Sequence, residues 1–203
     1  IALGNNELTS FTVPADMTNL AALRINDNQL TNLTLPAGLN QLSLLVASRN
    51  QLGSLTLPPG LTSLAFLEII DNQLTNLTLP PDMQQLIGLF VAGNPLTTFV
   101  LSEPLATSGL AGLVDSFRTQ GVVSVFTYPL AVRLVSPRRT VAGAFEFTLT
   151  GPPGNYAVMS STNLTTFSAL GTATNTLGSA IFTDAQASLS PQRFYRALRE
   201  SPP

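Results

Sequence analysis

The side chains best equipped for chemistry are three carboxylates, Asp27, Glu68 and Asp71, and two guanidiniums, Arg24 and Arg49, because the chain contains no histidine, cysteine or lysine. Without imidazole or thiol, acid–base catalysis would need two carboxyls with separated pKa values, one shielded and one solvated. Asp27, Arg49 and Asp71 instead recur every 22 residues with alternating sign, which suits charge pairing between neighbouring strands. These groups are therefore expected to pair or to recognise a ligand, and neither enzyme activity nor a cofactor is expected. Asp27 and Asp71 each precede an asparagine, yet no stretch supplies the oxygen cage that calcium requires, so no metal site is expected either.

Composition narrows the partners. A net charge of -2, from nine basic and eleven acidic residues, leaves no electrostatic footprint for nucleic acid. Apolar residues make up 44% and charged residues 10%, which excludes charge-driven disorder. No apolar run approaches the length of about 18 residues needed for a membrane span. The sequence opens at Ile1 without a basic stretch leading into an apolar one, and the chain is expected to be a fragment of a longer protein.

The charged residues sit within a repeat. Asn6, Asn28, Asn50, Asn72 and Asn94 are spaced by 22 residues, as are Leu8, Leu30, Leu52, Leu74 and Leu96, and as are Pro14, Pro36, Pro58 and Pro80. The segments "LRINDNQLTNLTLP" (23–36) and "LEIIDNQLTNLTLP" (67–80) differ only at Arg24 against Glu68 and Asn26 against Ile70. Period-two alternation turns Leu23 and Ile25 inward and Arg24 and Asn26 outward. A second alternating stretch follows each turn, as in Leu33-Thr34-Leu35 and Leu77-Thr78-Leu79, so each coil is expected to carry two short strands. Inward burial contributes on the order of 10 kcal/mol per coil before chain entropy is subtracted, so coils must stack to persist. The asparagines are expected to form a structural ladder, their amides serving loop backbone, while the prolines force the corners.

The frame L-x-x-L-x-L-x-x-N-x-L, as in Leu20, Leu23, Ile25, Asn28 and Leu30, resembles the leucine-rich repeat family over residues 1–101. That resemblance implies a right-handed solenoid whose first strands line a concave face. On that face would stand Arg24, Asn26, Asp27, Val46, Ser48, Arg49, Glu68, Ile70, Asp71 and Phe90, with Leu44 and Phe66 just ahead of the strands. Apolar groups rimmed by charges on one face suggest a binding patch.

After Leu101 the period breaks into "ATSGLAGLVDSFRTQG", whose apolar spacing predicts an amphipathic helix with Ser108 as N-cap and Gly121 as its end. "VVSVFTYP" then reads as a strand, and the region of about 102–128 reads as a helix-strand cap on a domain spanning 1–128. Residues 129–203 read as a small antiparallel β-sandwich-like domain with strands in "LAVRLVS", "AFEFTLT", "NYAVMSS", "SAIFTD" and "RFYRAL". Residues 143–198 resemble a β module found at the C-terminal end of large secreted bacterial proteins, which implies a secreted or cell-surface location for a bacterial protein. Tyr156, Phe167 and Tyr195 read as packing groups with a carbohydrate platform as the alternative, and Arg193, Arg196 and Arg199 as a solvated strand.

The chain is thus expected to be mostly β and to act as a non-enzymatic recognition module for a protein or peptide ligand. A spacer or adhesion stalk without a specific ligand is the alternative.

Overall fold

The computed structural model describes residues 1–190 and 192–200, and the protein is mostly β, with both parallel and antiparallel sheets. It divides into two compact units, Ile1–Phe126 and Thr127–Pro203.

The first unit contains β1 (Ser10–Thr12), β2 (Ala22–Arg24), β3 (Asn32–Thr34), β4 (Leu44–Val46), β5 (Phe66–Glu68), β6 (Asn76–Thr78), β7 (Gly88–Phe90), β8 (Thr98–Ser102), helices α1 (Glu103–Thr107) and α2 (Ala111–Gln120), and β9 (Ser124–Tyr128). Strands β2-β4-β5-β7 form a four-stranded parallel sheet in constant register, with Leu23 opposite Leu45, Leu45 opposite Leu67 and Leu67 opposite Leu89. Each of these leucines is buried, whereas Arg24 and Phe90 in the next column outward are exposed. The second alternating stretch forms β1-β3 and β6-β8, and the cap strand β9 pairs onto β8. Its expected strand in the third coil is missing, although Leu55 and Leu57 are still buried. Gly53 stands where the other coils carry Thr31, Thr75 and Thr97, and it offers neither β-branched stiffness nor a hydroxyl. Thr31 and Thr97 each bond the coil before them through both N–H and Oγ1.

The asparagines hold the coils at their corners. The residue before each has a left-handed backbone, with φ of 58° at Asn5, 54° at Asp27 and at Arg49, 53° at Asp71 and 72° at Gly93. That turn carries the chain out of the sheet and leaves carbonyls and N–H groups without ladder partners. Asn50 Nδ2 donates to Ile25 O (3.0 Å), Ala47 O (3.1 Å) and Ser48 O (3.3 Å), while its Oδ1 accepts the N–H of Leu30 (2.9 Å). Asn28, Asn72 and Asn94 repeat the arrangement, and Asn6 in the first coil makes only local bonds at the surface.

The cap differs from expectation at its start. Ser108 is not the N-cap of α2: it ends the additional short helix α1, and its hydroxyl donates to Pro104 O (2.7 Å). Proline at the beginning of α1 fixes the helical φ and starts this turn early. Gly121 closes α2 in the left-handed conformation with its N–H on Phe117 O (3.0 Å). Phe117 packs edge-on against buried Phe99.

In the second unit β10 (Arg133–Arg139), β11 (Phe145–Thr150) and β14 (Ser179–Asp184) form one antiparallel sheet, while β12 (Gly154–Ser161), β13 (Ser168–Asn175) and β15 (Phe194–Arg199) form another. Phe147 and Leu149 from the first sheet share a buried cluster with Tyr156, Val158 and Ala173 from the second. Tyr156 is fully buried with its hydroxyl on Pro152 O and Tyr195 stacks on Phe145 at 5.1 Å, so these two are packing groups, while Phe167 is half-buried and lies under Arg196. Arg193 is a correction to the solvated reading. It is largely buried and donates to Asp184 Oδ2 (2.6 Å), which also accepts the Tyr195 hydroxyl (3.0 Å). That carboxylate ties the end of β14 to the other sheet.

Two outcomes follow from these contacts. Asn72→Ala leaves buried carbonyls and the Leu52 N–H unpaired and should lower stability in denaturant titration by about 3 kcal/mol, against a few tenths for Asn6→Ala. Burial first, and then its bond to Asp184, push the Tyr195 phenol up to about 12. Because the folded value is raised, the stability it contributes is intact below the ordinary value of 10.0 and should be lost as pH rises toward 12, measurable by following phenolate absorbance and unfolding together.

Candidate functional site

The outward face of the four-stranded sheet collects most of the expected site residues. Strand pairing arranges them in columns: Ala22, Leu44, Phe66 and Gly88; Arg24, Val46, Glu68 and Phe90; then, past the strands, Asn26, Ser48, Ile70 and Ala92; and last Asp27, Arg49, Asp71 and Gly93. Leu44 and Phe66 lie within β4 and β5 and not ahead of them. Val46, Glu68 and Ile70 are half-buried.

Ser48 departs from the expected exposure. It is buried, and its hydroxyl accepts the N–H of Ile70 (3.1 Å), so it serves backbone and not a ligand. A short hydroxyl side chain beside an edge of backbone folds onto it, and period-two parity does not register that preference.

One ion pair forms on the face, between Asp27 and Arg49, while Arg24, Glu68 and Asp71 make no salt bridge among the described residues. Arg49 clasps Asp27 through Nε and through Nη2 to Oδ2 (2.8 Å), and Asn26 also donates to Asp27 Oδ2 (2.5 Å). The Arg49 bond above all, and then the Asn26 bond, hold the Asp27 carboxyl at about 2, and the pair raises Arg49. Asp71 continues the column, yet Arg49 forms no salt bridge with it among the described residues. A Cβ built on Gly93 would collide with Asp71 Oδ1, so this carboxylate stands over the bare glycine of the next coil. Glu68 likewise has no ion-pair partner among the described residues.

Aromatic groups dominate the acidic end. Phe66 is 41% exposed and Phe90 46% exposed, on a face that water can reach. Gly88 makes room for the first of them: a Cβ there would lie 2.5 Å from Phe66 Cδ1 and 3.2 Å from Phe90 Cε2. The Phe66 ring therefore extends over Gly88 of β7, and the edge of the Phe90 ring reaches the same glycine. Gly88 and Gly93 are the features that sequence reading passed over, although each interrupts a column that is otherwise occupied by a side chain.

Three acids on one face would matter for catalysis if they converged. Asp27 is instead bound to Arg49, and the described residues contain no cluster of three or more candidate metal-binding side chains. What the face offers is a surface with Arg24 and the Asp27–Arg49 pair toward one end, and exposed rings beside the carboxylates of Glu68 and Asp71 toward the other.

The Asp27–Arg49 pair supplies a pH test. With a folded value near 2, below its ordinary 3.8, any stability from Asp27 is present above 3.8 and lost as pH falls through about 2. Carbon-detected NMR titration should place the Asp27 carboxyl near 2 in the natural chain and move it toward 3.8 in Arg49→Gln.

No protein-family model matches the chain, and no curated protein and no solved structure is found similar to it, so the geometry of this face is what bears on function.

Proposed function

We propose that the protein is a non-enzymatic recognition module whose repeat unit is a leucine-rich repeat solenoid, binding a protein or peptide ligand on the outward face of its four-stranded sheet. In that solenoid the face is the concave one. Secretion or display at a bacterial cell surface accompanies the reading, as does membership in a longer chain.

The observation that carries the proposal is the pair of exposed rings, Phe66 and Phe90, side by side over Gly88. Exposed aromatics lower solubility, and large apolar groups with a charged rim characterise binding surfaces. A second feature points the same way. Arg49 holds a left-handed backbone, uncommon for a residue other than glycine, and from it presents its guanidinium to Asp27 on the outward face. A face ordered in advance loses little entropy on docking.

A spacer or stalk without a ligand is the rival, and in it the outward residues would be interchangeable. The two are separated by capture of ligand from the surface fraction of the native organism with the natural chain and with Phe90→Ser combined with Ile70→Ser. The variant should lose about tenfold or more in binding while its stability changes by about 1 kcal/mol or less. No specific capture by the natural chain would favour the spacer, undiminished capture by the variant would put binding away from this face, and a large loss of stability would mean that these side chains belong to the core.

A further inference from the structure

The ladder of the outward sheet ends at β7 with donors unused. In each earlier coil two N–H groups past the strand bond the coil that follows: Ile25 to Val46 O (2.8 Å) and Asp27 to Ser48 O (3.0 Å), Ala47 to Glu68 O (2.8 Å) and Arg49 to Ile70 O (2.7 Å), Ile69 to Phe90 O (2.9 Å) and Asp71 to Ala92 O (2.8 Å). The equivalent donors of the last coil are Val91 and Gly93, and among the described residues no backbone acceptor reaches either. Helix α2 and the segment after it replace the next coil without supplying a strand here. The gap they leave is a cavity of about 470 Å³ lined by Ile70, Phe90, Val91, Leu113, Phe117 and Val122. Its mouth is apolar, with Val122 70% exposed.

Charge identifies what fits. The alternation Asp27, Arg49, Asp71 would place a cation at the next coil, and Gly93 supplies none. The Asp71 carboxylate lies over Gly93, which itself lines the cavity, so an anion that feels Arg49 but makes no direct ion pair with it stands beside the cavity. A strand added beside β7 would sit about 4.8 Å further along the ladder, within reach of that carboxylate for an arginine or lysine side chain.

We propose that an extended peptide segment of a partner protein docks beside β7 as an additional strand, with an apolar side chain in the cavity and a basic side chain on Asp71. Main-chain carbonyls of the segment accept from Val91 and Gly93, which is how an exposed sheet edge takes a peptide. This rests on reading the outward face as a recognition surface and names the edge that anchors the ligand.

The test uses the full chain and a fluorescein-labelled peptide alternating leucine with lysine, beside a counterpart carrying glutamate for lysine. The lysine peptide should bind saturably by anisotropy, the glutamate peptide should not, and amide exchange at Val91 and Gly93 should slow by about tenfold or more on binding. Asp71→Asn should weaken binding about tenfold, since asparagine tolerates the left-handed backbone and removes only the charge. No binding, binding that Asp71→Asn leaves unchanged, or binding without slowed exchange at these two amides overturns the proposal. Exchange that slows with protein concentration alone would mean that a second copy of the chain occupies the edge, which also overturns it. A surface ligand lost in the Phe90→Ser and Ile70→Ser variant, yet leaving the Val91 and Gly93 amides unprotected, sinks strand addition and spares the wider reading. A ligand that the same variant retains sinks the wider reading.

Discussion

The asparagine amide at each corner is the contact on which the repeat unit depends. Three-residue strands cannot pair all the backbone of a 22-residue coil, and the left-handed turn after each outward strand directs carbonyls into the interior. One amide can donate to carbonyls of its own coil and the preceding one while accepting an N–H, as Asn50 does. Among side chains of that size only this amide combines two N–H donors with a carbonyl acceptor. The spacing of 22 residues is therefore as rigid as the bond lengths at these corners, and the leucines fill the interior that the corners enclose.

That rigidity frees the opposite surface. Because the inward positions and corners are fixed, the outward columns tolerate arginine, glutamate, phenylalanine or glycine without altering the register of β2, β4, β5 and β7. Their differences build a gradient along the sheet, from Arg24 through the Asp27–Arg49 pair to the rings of Phe66 and Phe90 and the Asp71 carboxylate. The two glycines at the end of the gradient matter as much as the side chains, since Gly88 admits a ring and Gly93 admits a carboxylate.

Much of this was legible in the sequence, because period-two alternation and a constant repeat are geometric and need no tertiary information. Leu23, Leu45 and Leu67 face inward as their parity requires, and the buried corner asparagines Asn28, Asn50 and Asn72 bond as the loop backbone demands. Departures arise where a local polar group or a tertiary partner overrides pattern. Ser48 folds onto the Ile70 N–H, and Ser108 answers to α1 once Pro104 has started that helix early. The strand β13, "SALGTATN", carries no aromatic alternation and is extended because β12 pairs with it from Gly154 to Ser160. Arg193 looks solvated in sequence, and only the meeting of two sheets brings the Asp184 carboxylate to it.

The missing strand of the third coil also has a mechanical meaning. The sheet of β2-β4-β5-β7 runs unbroken, whereas on the other side of the coils β1-β3 and β6-β8-β9 are separated by residues 54–56, with a cleft of about 220 Å³ alongside Asn32, Thr34, Ser54 and Thr56. Under bending or tension the continuous wall acts as a spine and the interrupted wall as a seam. Gly53 thereby marks the place of that seam, on the wall that does not carry the aromatic pair.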